Sequence, residues 1–289
     1  MTATENQPVT HSLERPGATI TYDVREKAAS STTPLFMIGH PMSAGGFVTL
    51  ASHFTDRTVI TYDPRGFERS VRTDGAGNTP DLVADDLHAV IEALGGGPVD
   101  MFASSGGAIT ALALVARHPN DVRKLVAHEP PLTAVLPDSA EANAAVKDIV
   151  DTYESRGGAW GMAKFMAVVM HQGEIPADWA ARPAPDPQTF GMPSEDDRKR
   201  DDPMMASMVA LTSFEPDIAA IKTSPTRVVI AAGEDEEGTM ANRGAYGVAK
   251  QLGSDVVTFP GGHGGFLGGE YGQMGKPDEF AAKLHEVID

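Results

Sequence analysis

The 289-residue chain contains no cysteine, so disulfide bonds and thiolate metal sites are excluded. Basic residues are scarce, with 23 Lys and Arg against 40 Asp and Glu, and the formal net charge is −17. Nucleic acids and anionic membrane surfaces would repel this charge, so we expect neither as a partner. Long apolar runs are also missing, and none could span a bilayer.

The first residues, 1–11, are polar and lack the apolar centre of a secretory signal peptide. With the absence of cysteine, this predicts a cytoplasmic protein. We expect residues 1–12 to be loosely ordered, because short polar termini seldom pack. The sequence leaves the oligomeric state open, a homodimer included.

What the chain does contain is an alternation of short apolar runs with amphipathic segments. The runs typical of strands are 18–24, 35–38, 58–62, 98–104, 122–127, 227–231 and 255–259. The segments with helical spacing are 47–54, 81–94, 106–118, 240–252 and 279–287. Strands that alternate with helices in this way predict an α/β fold with a mostly parallel, doubly wound sheet.

Residues 132–214 interrupt this alternation. They are rich in Ala, Met and Pro and contain seven of the 13 methionines. We interpret them as a helical cap inserted into a core formed by residues 1–131 and 215–289. Met162 and Met166 are four residues apart and fall on one helix face, so we expect them, with Trp160, to line a pocket under the cap. Flexible methionines suit bulky apolar ligands.

The most informative segment is PVDMFASSGGA, residues 98–108. An apolar strand ends at a serine flanked by small residues, and an apolar helix begins at once. This is the pattern of a nucleophile elbow, small-x-Ser-x-Gly, with Ala103 in the first small position. Such a tight turn exposes the Ser105 hydroxyl and directs the first helical N–H groups, starting with Gly106, at the group that the serine attacks.

A serine hydroxyl is a poor nucleophile unless a base removes its proton and a third group orients that base. His263 is the candidate base, because it lies in the loop PGGHGGF directly after the last predicted strand. The glycines of this loop permit sharp turns and a close approach to the elbow.

The strand–serine–helix segment, the histidine loop, the sequence DPRG at residues 63–66 and the interposed cap resemble the α/β-hydrolase superfamily. The resemblance extends over nearly all of the chain from about residue 19. It implies the α/β-hydrolase fold and a triad of Ser105, an acid and His263.

Two carboxylates compete for the place of the acid. In most of the superfamily the acid follows the penultimate strand, three residues after a glycine, which here indicates Glu236. Some branches place it after the strand that follows the elbow helix, which indicates Glu129. The segment around Glu129, a His-Glu pair before a proline, is similar to that of zearalenone lactonases. We favour Glu129, because it ends an apolar strand and a buried carboxylate needs a partner.

An oxyanion hole needs two backbone donors. Gly106 N–H is the first candidate. The superfamily usually has His-Gly in the loop after the third strand, but this chain has Pro41, which has no N–H group. We therefore predict Met42 N–H as the second donor, with His40 as the next choice and as a substrate-binding residue.

The predicted function is a serine hydrolase that cleaves a medium-sized hydrophobic ester or lactone without metal or cofactor. No histidine pair has the spacing of metal ligands. Two alternatives stay open. The first is a ligand receptor that has kept the fold, and the second is related chemistry, as in a cofactor-free perhydrolase or a carbon–carbon hydrolase.

Overall fold

One sheet organises the protein, described here for residues 7–75 and 77–289 of a computed structural model. Its strands are β1 (Val9–Arg15), β2 (Ala18–Arg25), β3 (Leu35–Ile38), β4 (Val59–Tyr62), β5 (Val71–Arg72), β6 (Val99–Ser104), β7 (Val122–His128), β8 (Arg227–Gly233) and β9 (Val256–Phe259). Their order is β1-β2-β4-β3-β6-β7-β8-β9, and β5 pairs with β2. The strands from β4 to β9 along this order are parallel, as the sequence predicts, whereas β1, β2 and β5 pair antiparallel.

The expectation of a loose start is wrong for residues 9–12, which lie in β1. Residues 1–6 are outside the described part. β1 pairs with β2 over seven residue pairs, from Val9 opposite Val24 to Arg15 opposite Ala18. The turn between them contains Gly17 at φ 72°, a conformation that favours glycine. Pairing with β2 therefore orders this segment, which the sequence does not identify as a strand because it contains few apolar residues.

Helices cover both faces of the sheet. They are α1 (Val48–Ser52), α2 (Pro80–Ala93), α3 (Gly106–Arg117), α4 (Ser139–Arg156), α5 (Gly158–Val169), α6 (Pro203–Thr212), α7 (Ile218–Thr223), α8 (Met240–Leu252) and α9 (Pro277–Ile288). One apolar cluster lies under α2, α3 and α8, and a second lies under α1 and α9. β3, β4 and β6 are buried along their whole length, which agrees with their purely or largely apolar sequences.

Local signals account for most helix ends. α2 begins with Pro80 after Thr79, whose hydroxyl accepts a hydrogen bond from Leu82 N–H at 3.3 Å. The single helix predicted for residues 47–54 is instead a 3₁₀ turn, Ala44–Phe47, followed by the short α1. Among the described residues, no helix is both long enough and apolar enough to cross a membrane.

Between β7 and β8 the chain forms α4, α5 and α6 with short 3₁₀ turns. These helices share an apolar cluster of their own, which includes Val146, Ile149 and Met208. A separate cap with boundaries at 132 and 214 stays a prediction, whereas the helical character of this segment agrees with the expectation. We refer to α4, α5 and α6 below as the cap helices. The segment lies where β7 ends, and so beside the elbow that follows β6.

Candidate active site

The turn between β6 and α3 holds Ser105 in a strained conformation. Its φ and ψ are 59° and −130°, a region that costs a non-glycine residue about 1–3 kcal/mol. Ser105 N–H donates to His128 O at 2.9 Å, and Ser105 O accepts from Ala108 N–H at 2.9 Å. These bonds hold the turn in place, so the hydroxyl is presented in the geometry of a nucleophile elbow.

The start of α3 lies against the loop that follows β3. A Cβ atom on Gly106 would stand 2.6 Å from His40 O, and one on Gly107 would stand 2.7 Å from Gly39 Cα. Both positions therefore require glycine. The close approach brings the loop containing Met42 beside Gly106, whose N–H has no acceptor within the helix. Across residues 7–75 and 77–289, Met42 N–H also makes no hydrogen bond.

Glu129 is fully buried directly after β7, at φ 49°. Its main-chain N–H donates to Ala231 O at 2.9 Å, and its Oε1 accepts from Gly233 N–H at 2.9 Å. Oε2 lies 2.6 Å from His263 Nδ1. Burial alone would raise the pKa of Glu129, but the hydrogen bond with His263 and the Gly233 N–H lower it. Glu129 is therefore held as a carboxylate.

His263 connects this buried carboxylate to the open space around Ser105. Its side chain is 40% exposed, whereas that of Glu129 is 0% exposed. Burial would lower the pKa of His263, but the hydrogen bond with Glu129 and the charges of Glu129 and Glu236 raise it above its ordinary value. Within the part of the chain that the structure describes, Ser105 Oγ and His263 make no direct hydrogen bond. Such contacts often tighten only when substrate binds.

Glu236, the competing acid, contacts the same histidine differently. Its Oε1 accepts the main-chain N–H of His263 at 2.9 Å. The imidazole Nδ1 is occupied by Glu129. The structure thus brings both candidate carboxylates to His263, one at the ring and one at the backbone.

A cavity of about 580 Å³ opens between the sheet and the helices α4, α5 and α6. Ser105 and His263 line it from the core, together with Asp235 and Glu236. The cap helices contribute a mainly apolar wall, which includes Val146, Ile149, Phe165, Met166, Val169 and Met208. A site of this size, apolar apart from a few convergent polar groups, is typical of small-molecule binding.

Of the four residues predicted to bind substrate, Met166 lines this cavity and three do not. His40 is buried against Phe67, its Nε2 lies 3.1 Å from Asn78 Nδ2, and burial lowers its pKa to about 3. Met162 packs against the interior of the cap. Trp160 Nε1–H donates to Ser194 O at 2.9 Å. The structure therefore places these three side chains outside the lining of this cavity, and their role in substrate binding stays a prediction.

Sequence reasoning missed several residues of the cavity. Met208 belongs to a methionine cluster, so a signal was present, although its neighbours Met204 and Met205 do not line the cavity. Gln172, Thr212 and Gln273 also line it, and no pattern in the sequence distinguishes them from surface residues.

Of the described residues, one group of three could offer ligand atoms to a metal within 4.8 Å, namely His88, His118 and Asp121. Asp121 precedes β7, whereas Ser105 contacts the other end of that strand. His88 Nδ1 lies 2.7 Å from Asp121 Oδ2, and His118 Nε2 lies 2.9 Å from Asp85 Oδ1. The group is therefore remote from the candidate active site, and its imidazoles already have carboxylate partners.

Comparisons with known proteins concern the fold and the class of protein. A family described as alpha/beta hydrolase fold matches residues 35–160. A relative from Bacillus subtilis, named uncharacterized hydrolase YraK, is 28% identical over 285 residues, which cover 96% of this chain and 95% of the relative. The family match and this relative support a place in the α/β-hydrolase superfamily.

Solved structures show the same architecture. An esterase from Exiguobacterium antarcticum superimposes with a TM-score of 0.66 at 19% identity, covering 94% of this chain and 96% of its own. An enol-lactonase from Burkholderia xenovorans gives a TM-score of 0.66 at 15% identity, covering 96% and 99%. The chain has the α/β-hydrolase fold.

Proposed function

We propose that this protein is a serine hydrolase that cleaves a carboxylic ester or lactone of a medium-sized hydrophobic substrate. One observation carries the proposal. An imidazole bonded to a buried carboxylate at 2.6 Å shares a cavity with a serine on a strained strand-to-helix turn. The fold hosts many chemistries, so the fold alone would not support this function.

In the proposed reaction, His263 Nε2 takes the proton of Ser105 Oγ as the oxygen attacks the carbonyl carbon. The negative charge that develops on the carbonyl oxygen is received by Gly106 N–H and Met42 N–H. Collapse of the tetrahedral intermediate releases the alcohol, which takes the proton from His263 and leaves an acyl group on Ser105. Water, deprotonated by His263, then releases the acid.

Glu129 supports each of these steps. Its Oε2 accepts the Nδ1 proton, which leaves Nε2 free to act as the base, and its charge stabilises the imidazolium that forms. At 2.6 Å, the separation of Nδ1 and Oε2 is short for an N–H···O bond, as expected when a charged group takes part. We therefore assign Glu129 as the triad acid in preference to Glu236, which contacts the backbone of His263. The resemblance of this segment to zearalenone lactonases stays a prediction.

The character of the cavity supports the substrate class. Its wall is mainly apolar, and its polar end carries the acidic Asp235 and Glu236. An anionic acyl group would be repelled there and would find no arginine or lysine among the described lining residues. The names of the esterase and lactonase neighbours agree with ester chemistry, although at their identities they carry only the fold.

The experiment that tests this function compares wild type with Ser105→Ala on p-nitrophenyl esters of increasing acyl length and on one hydrophobic macrolactone. We expect turnover by wild type and a loss of about 10³-fold or more in the variant, with an unchanged melting temperature. Equal turnover by both proteins would contradict the mechanism. No turnover by either, with tight binding of an apolar ligand, would favour the ligand-receptor alternative.

A further inference from the structure

The loop that carries His263 is held by the acidic loop after β8. Glu234 N–H donates to Phe259 O at 3.0 Å, and Asp235 N–H donates to Gly261 O at 3.2 Å. Two side chains of the acidic loop also accept hydrogen bonds from the histidine loop. Glu234 Oε1 accepts Gly261 N–H at 3.2 Å, and Glu236 Oε1 accepts His263 N–H at 2.9 Å. The position of the base is thus set by this loop as well as by Glu129.

The contact of Glu236 depends on a glycine next to the base. A Cβ atom on Gly262 would stand 2.5 Å from Glu236 Oε1. Any other residue at position 262 would therefore displace this carboxylate. At its own end, Glu236 O accepts Thr239 N–H at 3.1 Å, and Thr239 caps α8. The main chain of Glu236 is therefore held by the N-terminus of α8, and its side chain is held by His263.

The charged groups around His263 differ in whether they have a partner of opposite charge. From the end of β7, Glu129 bonds the ring, and His128 lies 6.1 Å away between ring centroids. Burial lowers the pKa of His128 to about 4, so it is neutral at pH 7. From the loop after β8, Glu234 and Asp235 have Lys276 as a partner, at 2.5 and 3.7 Å. Within residues 7–75 and 77–289, Glu236 has no cationic partner.

We propose that Glu236 is a positioning residue of the active site, a second carboxylate that fixes the main chain of His263 and favours its imidazolium form through an unpaired charge. Only the expected effect of Glu236 on kcat and kcat/KM rests on the proposed function, whereas its effect on the pKa of His263 does not. Glu236 touches neither the reacting atoms nor the imidazole nitrogens. It acts at the moment when His263 holds the proton of Ser105, because two carboxylates, one at the ring and one at the main chain, then stabilise the positive charge.

Two substitutions separate the two parts of this role. In Glu236→Gln the amide oxygen can still accept His263 N–H, so the geometry is kept and only the charge is removed. In Glu236→Ala both are lost. Glu234→Gln is the matched control, because it removes the same charge from the same loop at a position that Lys276 already neutralises.

The readouts are the pKa of His263 from an NMR titration of its imidazole and the acid limb of the kcat/KM profile. His263 must be neutral to act as a base, so activity falls as the pH drops below its pKa. A negative charge nearby raises that pKa. Glu236→Gln should therefore move the titration and the acid limb to lower pH by about half a unit. Glu234→Gln should move them much less.

We expect Glu236→Ala to shift the profile in the same direction and to lower the plateau of kcat by about 10-fold, because a displaced base loses alignment. A His263 titration that is identical in wild type and Glu236→Gln would overturn the electrostatic part. A wild-type plateau in Glu236→Ala would overturn the positioning part. A plateau loss of about 10³-fold in Glu236→Gln would make Glu236 the triad acid, and so would overturn the proposal as well.

The two proposals can fail separately. If no ester is hydrolysed but the NMR titration shifts as expected in Glu236→Gln, the proposed function fails and the role of Glu236 at His263 stands. If esters are hydrolysed through Ser105 and the titration does not shift, the function stands and this inference fails.

Discussion

The cavity has two halves that are built by different interactions. On the core side, Ser105, Glu129 and His263 are each held by main-chain hydrogen bonds to neighbouring strands or loops. On the cap side, the wall residues Val146, Ile149 and Phe165 belong to or pack against the apolar cluster of α4, α5 and α6. Hydrogen bonds are directional, whereas apolar contacts depend mainly on buried area and shape.

The difference predicts how each half responds to change. A loss on the core side should cost rate, because proton transfer and oxyanion binding need atoms placed within a few tenths of an ångström. A loss on the cap side should mainly change which substrate fits, because apolar side chains can repack around a new shape.

The largest effect after Ser105→Ala is expected from Glu129→Gln. The carboxylate accepts two hydrogen bonds, from Gly233 N–H and from His263 Nδ1–H. Glutamine has a single side-chain oxygen, so one of these donors would face an amide NH₂ group. We expect kcat to fall by about 10³- to 10⁴-fold in steady-state assays. Glu236→Gln is the isosteric control, and a similar loss in both variants would refute the assignment of Glu129.

A smaller loss is expected from Gly106→Ala, which would place a Cβ atom 2.6 Å from His40 O. Main-chain atoms must shift to relieve this contact, and the two oxyanion donors would separate. We expect kcat/KM to fall by about 10²- to 10³-fold. Gly45→Ala is the control in the 3₁₀ turn that follows Met42, because its Cβ would meet nothing within 4 Å. Wild-type activity in Gly106→Ala would refute the proposed oxyanion site.

The smallest effect is expected on the cap side, where two methionines of α5 one turn apart form a matched pair. Met166 lines the cavity and Met162 packs inside the cap. Met166→Ala should enlarge the cavity and shift the preference toward longer acyl chains by about 10-fold in kcat/KM ratios. Met162→Ala should lower the melting temperature and leave the preference unchanged. The same shift in both variants would show that the wall does not select by local shape.

The elbow is the part of the site that sequence patterns describe best. Small residues at 103, 106 and 107 around Ser105 have one physical explanation, a turn in which the backbone passes too close for side chains, and the distances from Gly106 and Gly107 agree with it. His263 is predictable for a related reason, since Gly261 and Gly262 permit its loop to approach β8 and Glu236. In both places a close approach of the backbone requires small residues, and these can be recognised within a few positions of the sequence.

Other features depend on contacts between distant residues, so no short sequence pattern predicts them. Met162 and Met166 share a helix face by spacing, yet Met162 packs against the apolar cluster of the cap helices and Met166 lines the cavity. His40 lies in the loop after β3, which we propose supplies the second oxyanion donor, but its ring contacts Asn78 and Phe67. β1 is ordered by its pairing with β2, although its residues are polar.

The sequence by itself determined the strand and helix alternation, the strained turn at Ser105 and the histidine loop, because each of these follows from side-chain size and periodicity over a few residues. Only the tertiary structure decided which carboxylate reaches the imidazole. Glu129 directly follows β7, and Glu236 lies in the loop after the adjacent parallel strand β8. The two residues are 107 positions apart in the chain. Their distances to His263 Nδ1 are set by sheet register and loop packing, which no local pattern encodes.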